Sequence, residues 1–156
     1  MSARIDLWER LSLVNFEDIA ELVRRSYAAF NRQDLEEVVS LYERDCEWDM
    51  SHFSGWPETQ VYRGHEGLKE LFRFWYGAWE EFHVEPAEIL PAGSDRTFMR
   101  CELSVKGEGS GVPLEMTFWQ VGEARNGKVL RVVNYTDLDE AKEAAGLSAQ
   151  DAPADS

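Results

Sequence analysis

The sequence predicts an α+β fold in which three N-terminal helices pack in a strongly curved antiparallel sheet. Over Phe16 to Phe30, Leu35 to Tyr42 and Leu68 to Trp79, apolar side chains recur at three- and four-residue steps. From Phe82 to Thr136 they alternate every second residue. The 44% hydrophobic content, spread over 156 residues without a break in composition, gives one domain with one substantial core. The expected limits are an N-terminal extension over 1–15, the domain over 16–147 and a disordered tail over 148–156.

The first helix is read from Phe16 to Phe30, behind Asn15 as N-cap, with Ile19, Ala20, Val23, Tyr27 and Phe30 on one stripe. Asn31 stops it. Asp34 and Glu37 form a D-x-x-E capping box that opens a second helix, whose buried face is Leu35, Val38, Val39 and Tyr42. After an Arg44-Asp45 turn, Cys46, Trp48 and Met50 alternate with Glu47 and Asp49 as a half-buried strand. Residues Ser51 to Gln60 form a breaker-rich loop carrying Phe53 and Trp56, the aromatics of a flap over something apolar. Tyr62 to Gly67 leads into a third helix with Leu68, Leu71, Phe72, Trp75 and Trp79 at helical spacing.

Strands follow over Phe82 to Ile89, Thr97 to Lys106, Leu114 to Val121 and Val129 to Thr136. Pro86 marks the first of these as an edge or a bulge, because proline cannot donate to a ladder. Gly107 to Gly111 is a hairpin loop, and Asn126-Gly127 is the signature of a two-residue turn. Asp137 caps a short last helix, Leu138 to Ala145, which Gly146 ends.

The net charge of −14, with no basic cluster to offset it, excludes nucleic-acid and membrane-surface partners on electrostatic grounds. Cys46 and Cys101 both sit in strands without metal-ligand spacing, as free buried thiols of a reducing compartment do. The opening MSARIDLWERLS lacks the apolar segment of a secretion signal, and no run of about 18 apolar residues occurs, so residence in the cytoplasm is expected. No two histidines are spaced to share a metal, and the site is read as metal-free and without a cofactor.

Four segments in order, Tyr27 to Asp34, Leu41 to Trp48, Tyr62 to Leu68 and Asn126 to Arg131 running on through Tyr135 to Asp137, resemble the nuclear transport factor 2-like superfamily. Within it the chain looks most like the SnoaL-like group, from about Glu17 to about Leu147. The resemblance implies a cone-shaped, cystatin-like roll with a cavity between sheet and helices, and a homodimer. It does not imply one reaction, since the superfamily hosts polyketide cyclases, ketosteroid isomerases and epoxide hydrolases.

Carried over residue by residue, the resemblance points away from acid–base chemistry. Where ketosteroid isomerases keep a general base and an oxyanion-donating tyrosine, this chain has Met50 and Ser26. Asn134 stands where SnoaL-like cyclases and limonene epoxide hydrolases place a basic aspartate, and Gln120 where the cyclases carry a histidine. An amide orients a carbonyl, hydroxyl or water but takes no proton. Arg100 and Glu102 resemble the Arg-x-Asp pair of the epoxide hydrolases, yet Met99, Cys101 and Leu103 form the apolar face of that strand, which turns the pair outward.

Three functions remain open. The first is binding of a hydrophobic small molecule by Tyr27, Trp48, Met50, Trp75, Trp79, Trp119 and Asn134, without the usual base. The second is an enzyme of the cyclase, isomerase or epoxide-hydrolase type using Glu102, Asp49 or His52, with His52 overhanging the cavity mouth. The third is a structural dimerisation module with a filled cavity.

Overall fold

The computed structural model of the chain describes residues 2–57, 60–93, 95–107 and 112–147, with side chains from Phe16 onward. The tail expected over 148–156 and most of the Gly107 to Gly111 loop lie outside the described residues. Helix α1 spans Ser2–Asn31, α2 Leu35–Ser40, α3 Gly64–Ala78 and α4 Leu138–Ala145. The strands are β1 Tyr42–His52, β2 Val61–Arg63, β3 Glu81–Pro91, β4 Arg96–Lys106, β5 Pro113–Arg125 and β6 Lys128–Tyr135.

These strands form one curved, unclosed sheet in the order β2-β1-β6-β5-β4-β3. Every pairing is antiparallel except that of β1 with β6. Helices α1, α2 and α3 cover one face around Phe30, Trp48, Phe72 and Leu103. On the other face α4 lays Ala141 and Ala145 against Phe98, Val121, Val133 and Tyr135. The period-two alternation thus feeds two cores, one on each side of the sheet.

Local chemistry explains the joints. Asp34 accepts from the Glu37 amide at 3.2 Å and starts α2. The reciprocal half of the box is absent: the Asp34 amide donates to the Ala29 carbonyl at 2.9 Å, and the Glu37 carboxylate pairs with Arg25. Asn31 does more than stop α1. Its side-chain amide donates to the Val84 carbonyl and its oxygen accepts from the Val84 amide, both at 2.9 Å, which pins the helix end to edge strand β3. Pro86 lies in that edge strand next to a register shift, so it marks both an edge and a bulge. Asn126 and Gly127 have φ of 55° and 77°, the left-handed pair that a type I′ turn needs.

Some boundaries differ from the sequence reading. Helix α1 passes through Asn15 instead of starting there. Tyr42 opens β1 instead of closing α2, and Arg44-Asp45 lies within the strand, because β1 pairs with β6 as early as Tyr42 opposite Val129. Long cross-strand ladders override local turn propensity here. Among the described residues no helix is long and apolar enough to cross a membrane.

Candidate functional site

Strand parity places Met50, Gln120 and Asn134 on the helix-covered face, and α1 brings Tyr27 onto them. In the ladders Gln120 sits opposite Asn134 on one side and Met99 on the other. Gln120 Nε2 donates to Tyr27 Oη at 2.6 Å and to Asn134 Oδ1 at 2.8 Å, which uses both of its hydrogens. Asn134 therefore turns its carbonyl to Gln120 and its amide nitrogen to Met50 Sδ, 3.5 Å away. That sulfur also accepts from Trp48 Nε1 at 3.2 Å. A thioether is a weak acceptor, so the Asn134 N–H groups are held loosely at the cavity wall.

The floor is dry. Asn134 is 1% exposed and Gln120 4%. Burial, reinforced by the neighbouring Cys101 and Tyr42, pushes the Tyr27 phenol well above its ordinary value of 10. Burial likewise raises the Cys101 thiol, which shares a hydrogen bond with Tyr27. Both groups stay neutral near pH 7, and the floor holds no thiolate nucleophile.

Above the floor is a cavity of about 50 Å³ walled by rings that include Phe30, Phe53, Trp56, Phe72 and Trp75. A water needs about 10–15 Å³, so this space alone holds a few waters. Phe53 closes it, meeting Phe118 at 5.7 Å and Trp56 at 6.5 Å, while Trp56 stacks on Trp75 at 6.3 Å. On the far side of these rings lies a groove of about 620 Å³ that shares Phe53, Trp56, Trp75 and Leu103 with the cavity. The groove continues along Trp79, Phe74, Leu114 and Met116, of which the last three are exposed. Its volume is that of an ordinary small-molecule site.

Tyr27, Trp48, Met50, Trp75 and Asn134 thus share one cavity, with Gln120 hydrogen-bonded to its floor. Trp79 lines the groove instead. Trp119, expected among the ligand contacts, stands on the opposite face, against the α4 cluster. Its neighbour Gln120 faces inward, and adjacent strand residues cannot share a face. His52 does not overhang the mouth: its ring stacks on Tyr135 at 5.0 Å and its Nδ1 pairs with Glu140 of α4 at 2.9 Å. Asp49 is buried but accepts from the Ser51 amide and hydroxyl, at 2.8 and 2.6 Å, and faces Arg131. Arg100 pairs with Glu102 and Glu88, and Thr117 Oγ1 donates to Glu102 at 2.7 Å. All four groups project away from Asn134.

Sequence reasoning missed the groove's outer wall. Leu114 and Met116 alternate with Glu115 and Thr117, and that alternation was the available signal, extending β5 outward past the core. Among the described residues no three His, Cys, Asp or Glu side chains converge as a metal-ligand set.

The family model described as the SnoaL-like domain matches residues 23–132, well over half of the chain. The chain belongs to the SnoaL-like family. This places it in the nuclear transport factor 2-like superfamily. Among curated proteins no sequence matches significantly. Among solved structures, the chain is similar to TerC co-crystallised with polyporic acid, at 23% identity over 83% of this chain and 98% of that one, with a TM-score of 0.67. It is similar to a putative polyketide cyclase from Xanthomonas campestris pv. campestris, at 18% identity over 84% and 98% of the two chains, with a TM-score of 0.62. It is similar to an LEH-like epoxide hydrolase from M. tuberculosis, at 15% identity over 83% and 90% of the two chains, with a TM-score of 0.63. At these identities the likeness is one of fold.

Proposed function

We propose that this SnoaL-like protein binds a flat, apolar small molecule in the aromatic groove, with its leading edge directed at the amide floor, and that Asn134 and Gln120 orient it without taking a proton. One observation carries the reading: the polar atoms at the cavity floor belong to Asn134, Gln120 and Tyr27, while Glu102, Asp49 and His52, the candidate bases, have their partners on the other side of the sheet. Entry requires Phe53 and Trp56, which belong to the loop after β1, to move aside. A second copy of the chain is the macromolecular partner kept in this reading, and the charge of −14 speaks against nucleic acid and anionic membranes. The two free cysteines are compatible with a cytoplasmic setting.

A second reading is favoured by the small size of the cavity. At about 50 Å³, between stacked rings, it fits a filled core in a structural module. Titration with fluorene, a planar hydrocarbon, separates the two. Because Trp48, Trp56, Trp75 and Trp79 all line the cavity or the groove, saturable partial quenching of tryptophan fluorescence is the expected result. A response that never saturates would favour the filled core.

A further inference from the structure

Behind the amide floor lies a second, smaller chamber of about 20 Å³ between α1 and the sheet. Its polar lining includes Gln120, Thr97, Ser26 and Tyr42. The first cavity has Asn134 in its wall but not Gln120, and the chamber has Gln120 but not Asn134, so the hydrogen-bonded amide pair stands as a partition between the two.

Met50 fixes which way the partition faces. A thioether sulfur only accepts, so Asn134 presents its nitrogen to Met50 Sδ and its oxygen to Gln120. Gln120 must answer with its own nitrogen, and both hydrogens of that nitrogen are spent, on Asn134 and on Tyr27. Its carbonyl oxygen is left for the chamber. Neither that oxygen nor the Thr97 hydroxyl has a hydrogen-bond partner among the described residues, although Gln120 is 4% and Thr97 1% exposed. Thr97 stands opposite Gly122 in the β4–β5 ladder, and Gln120 precedes Gly122 by two residues on the same face. Gly122 keeps the space beside them open, since a Cβ there would lie 3.1 Å from Thr97 Oγ1. On the helix side, Ser26 hydrogen-bonds the Tyr42 hydroxyl and adds further polar atoms.

We infer that the chamber is a binding site for one ordered water, which donates to Gln120 Oε1 and bridges it to Thr97 Oγ1. Size and chemistry agree. One water needs about 10–15 Å³ and at least two polar partners, and the chamber offers both. A buried carbonyl left without a donor is costly, so the water supports the amide that holds Asn134 and Tyr27 in place. It is bound whether or not a ligand occupies the cavity in front.

High-resolution crystallography of the full chain and of Gly122→Ala tests this. In the intact chain a water peak is expected within hydrogen-bond distance of both Gln120 Oε1 and Thr97 Oγ1. Gly122 has no left-handed backbone that would bar alanine, and the added methyl should expel the water. In solution, magnetic relaxation dispersion of water oxygen counts long-lived waters, and the intact chain should hold one more than the variant. The side-chain amide resonances of Gln120 should shift in the variant, because its oxygen loses a donor. A chamber without a water peak, a peak out of reach of Gln120 Oε1, or equal water counts in the two chains overturns the inference. If Gly122→Ala does not fold, the density of the intact chain decides.

Discussion

Replacing Phe30 by alanine is expected to lower stability by about 3–5 kcal/mol, the upper end of what a single core truncation costs. Phe30 is buried at the end of α1, and its ring centroid lies 5.3 Å from Phe72, 5.1 Å from Phe82, 5.6 Å from Tyr76, 6.0 Å from Tyr27 and 6.4 Å from Trp75. One side chain therefore joins α1, α3 and edge strand β3. Its removal takes away both the apolar burial and the dispersion contacts of five rings, and those rings are themselves held from three elements and cannot all collapse inward. Urea unfolding should show a lower midpoint at unchanged slope. A loss below about 1 kcal/mol would mean that the rings repack freely and that the cluster is not a rigid wall.

Asn134→Asp is expected to make stability strongly pH-dependent. The variant puts a carboxyl group in a site 1% exposed. One carboxylate oxygen keeps the hydrogen bond from Gln120, and the other faces Met50 Sδ, which has no hydrogen to give. Desolvation then outweighs the single donor and raises the carboxyl above its unfolded value. The sign follows from linkage. Below the unfolded value the group is protonated in both states and adds no pH dependence. As pH climbs past it, the unfolded chain ionises first, and stability falls until the folded value is passed, after which the deficit is constant. Relative to the parent, the variant should lose about 3 kcal/mol more at pH 8 than at pH 4. A difference from the parent that is the same at both pH values would show that position 134 is solvated well enough to leave its carboxyl unshifted.

Much of this was legible in the residues themselves. Asp34, Asn31 and Asn126-Gly127 act through local geometry, and each does in the structure what its type allows. The inward face of β4 was legible for the same reason, since Met99, Cys101 and Leu103 alternate with Arg100 and Glu102. Parity also separates candidates that sequence reasoning had grouped together. Gln120 and Trp119 are neighbours on β5 and Asp49 lies between Trp48 and Met50 on β1, so neither set of neighbours can serve one cavity. Two features lay beyond sequence. The start of β1 at Tyr42 depends on its partner Val129, more than eighty residues away. The filling of the cavity by Phe53 and Trp56 depends on how a loop folds back onto Trp75, which no periodicity encodes.

The central claim is that the site holds its ligand with groups that do not titrate near neutrality. Asn134 and Gln120 cannot ionise, and burial keeps the Tyr27 phenol and the Cys101 thiol neutral. Calorimetric affinity for fluorene measured from pH 6 to pH 9 tests this directly: the account predicts a flat profile, and a sigmoidal change with its midpoint inside that range, marking an ionising base at the floor, would contradict it.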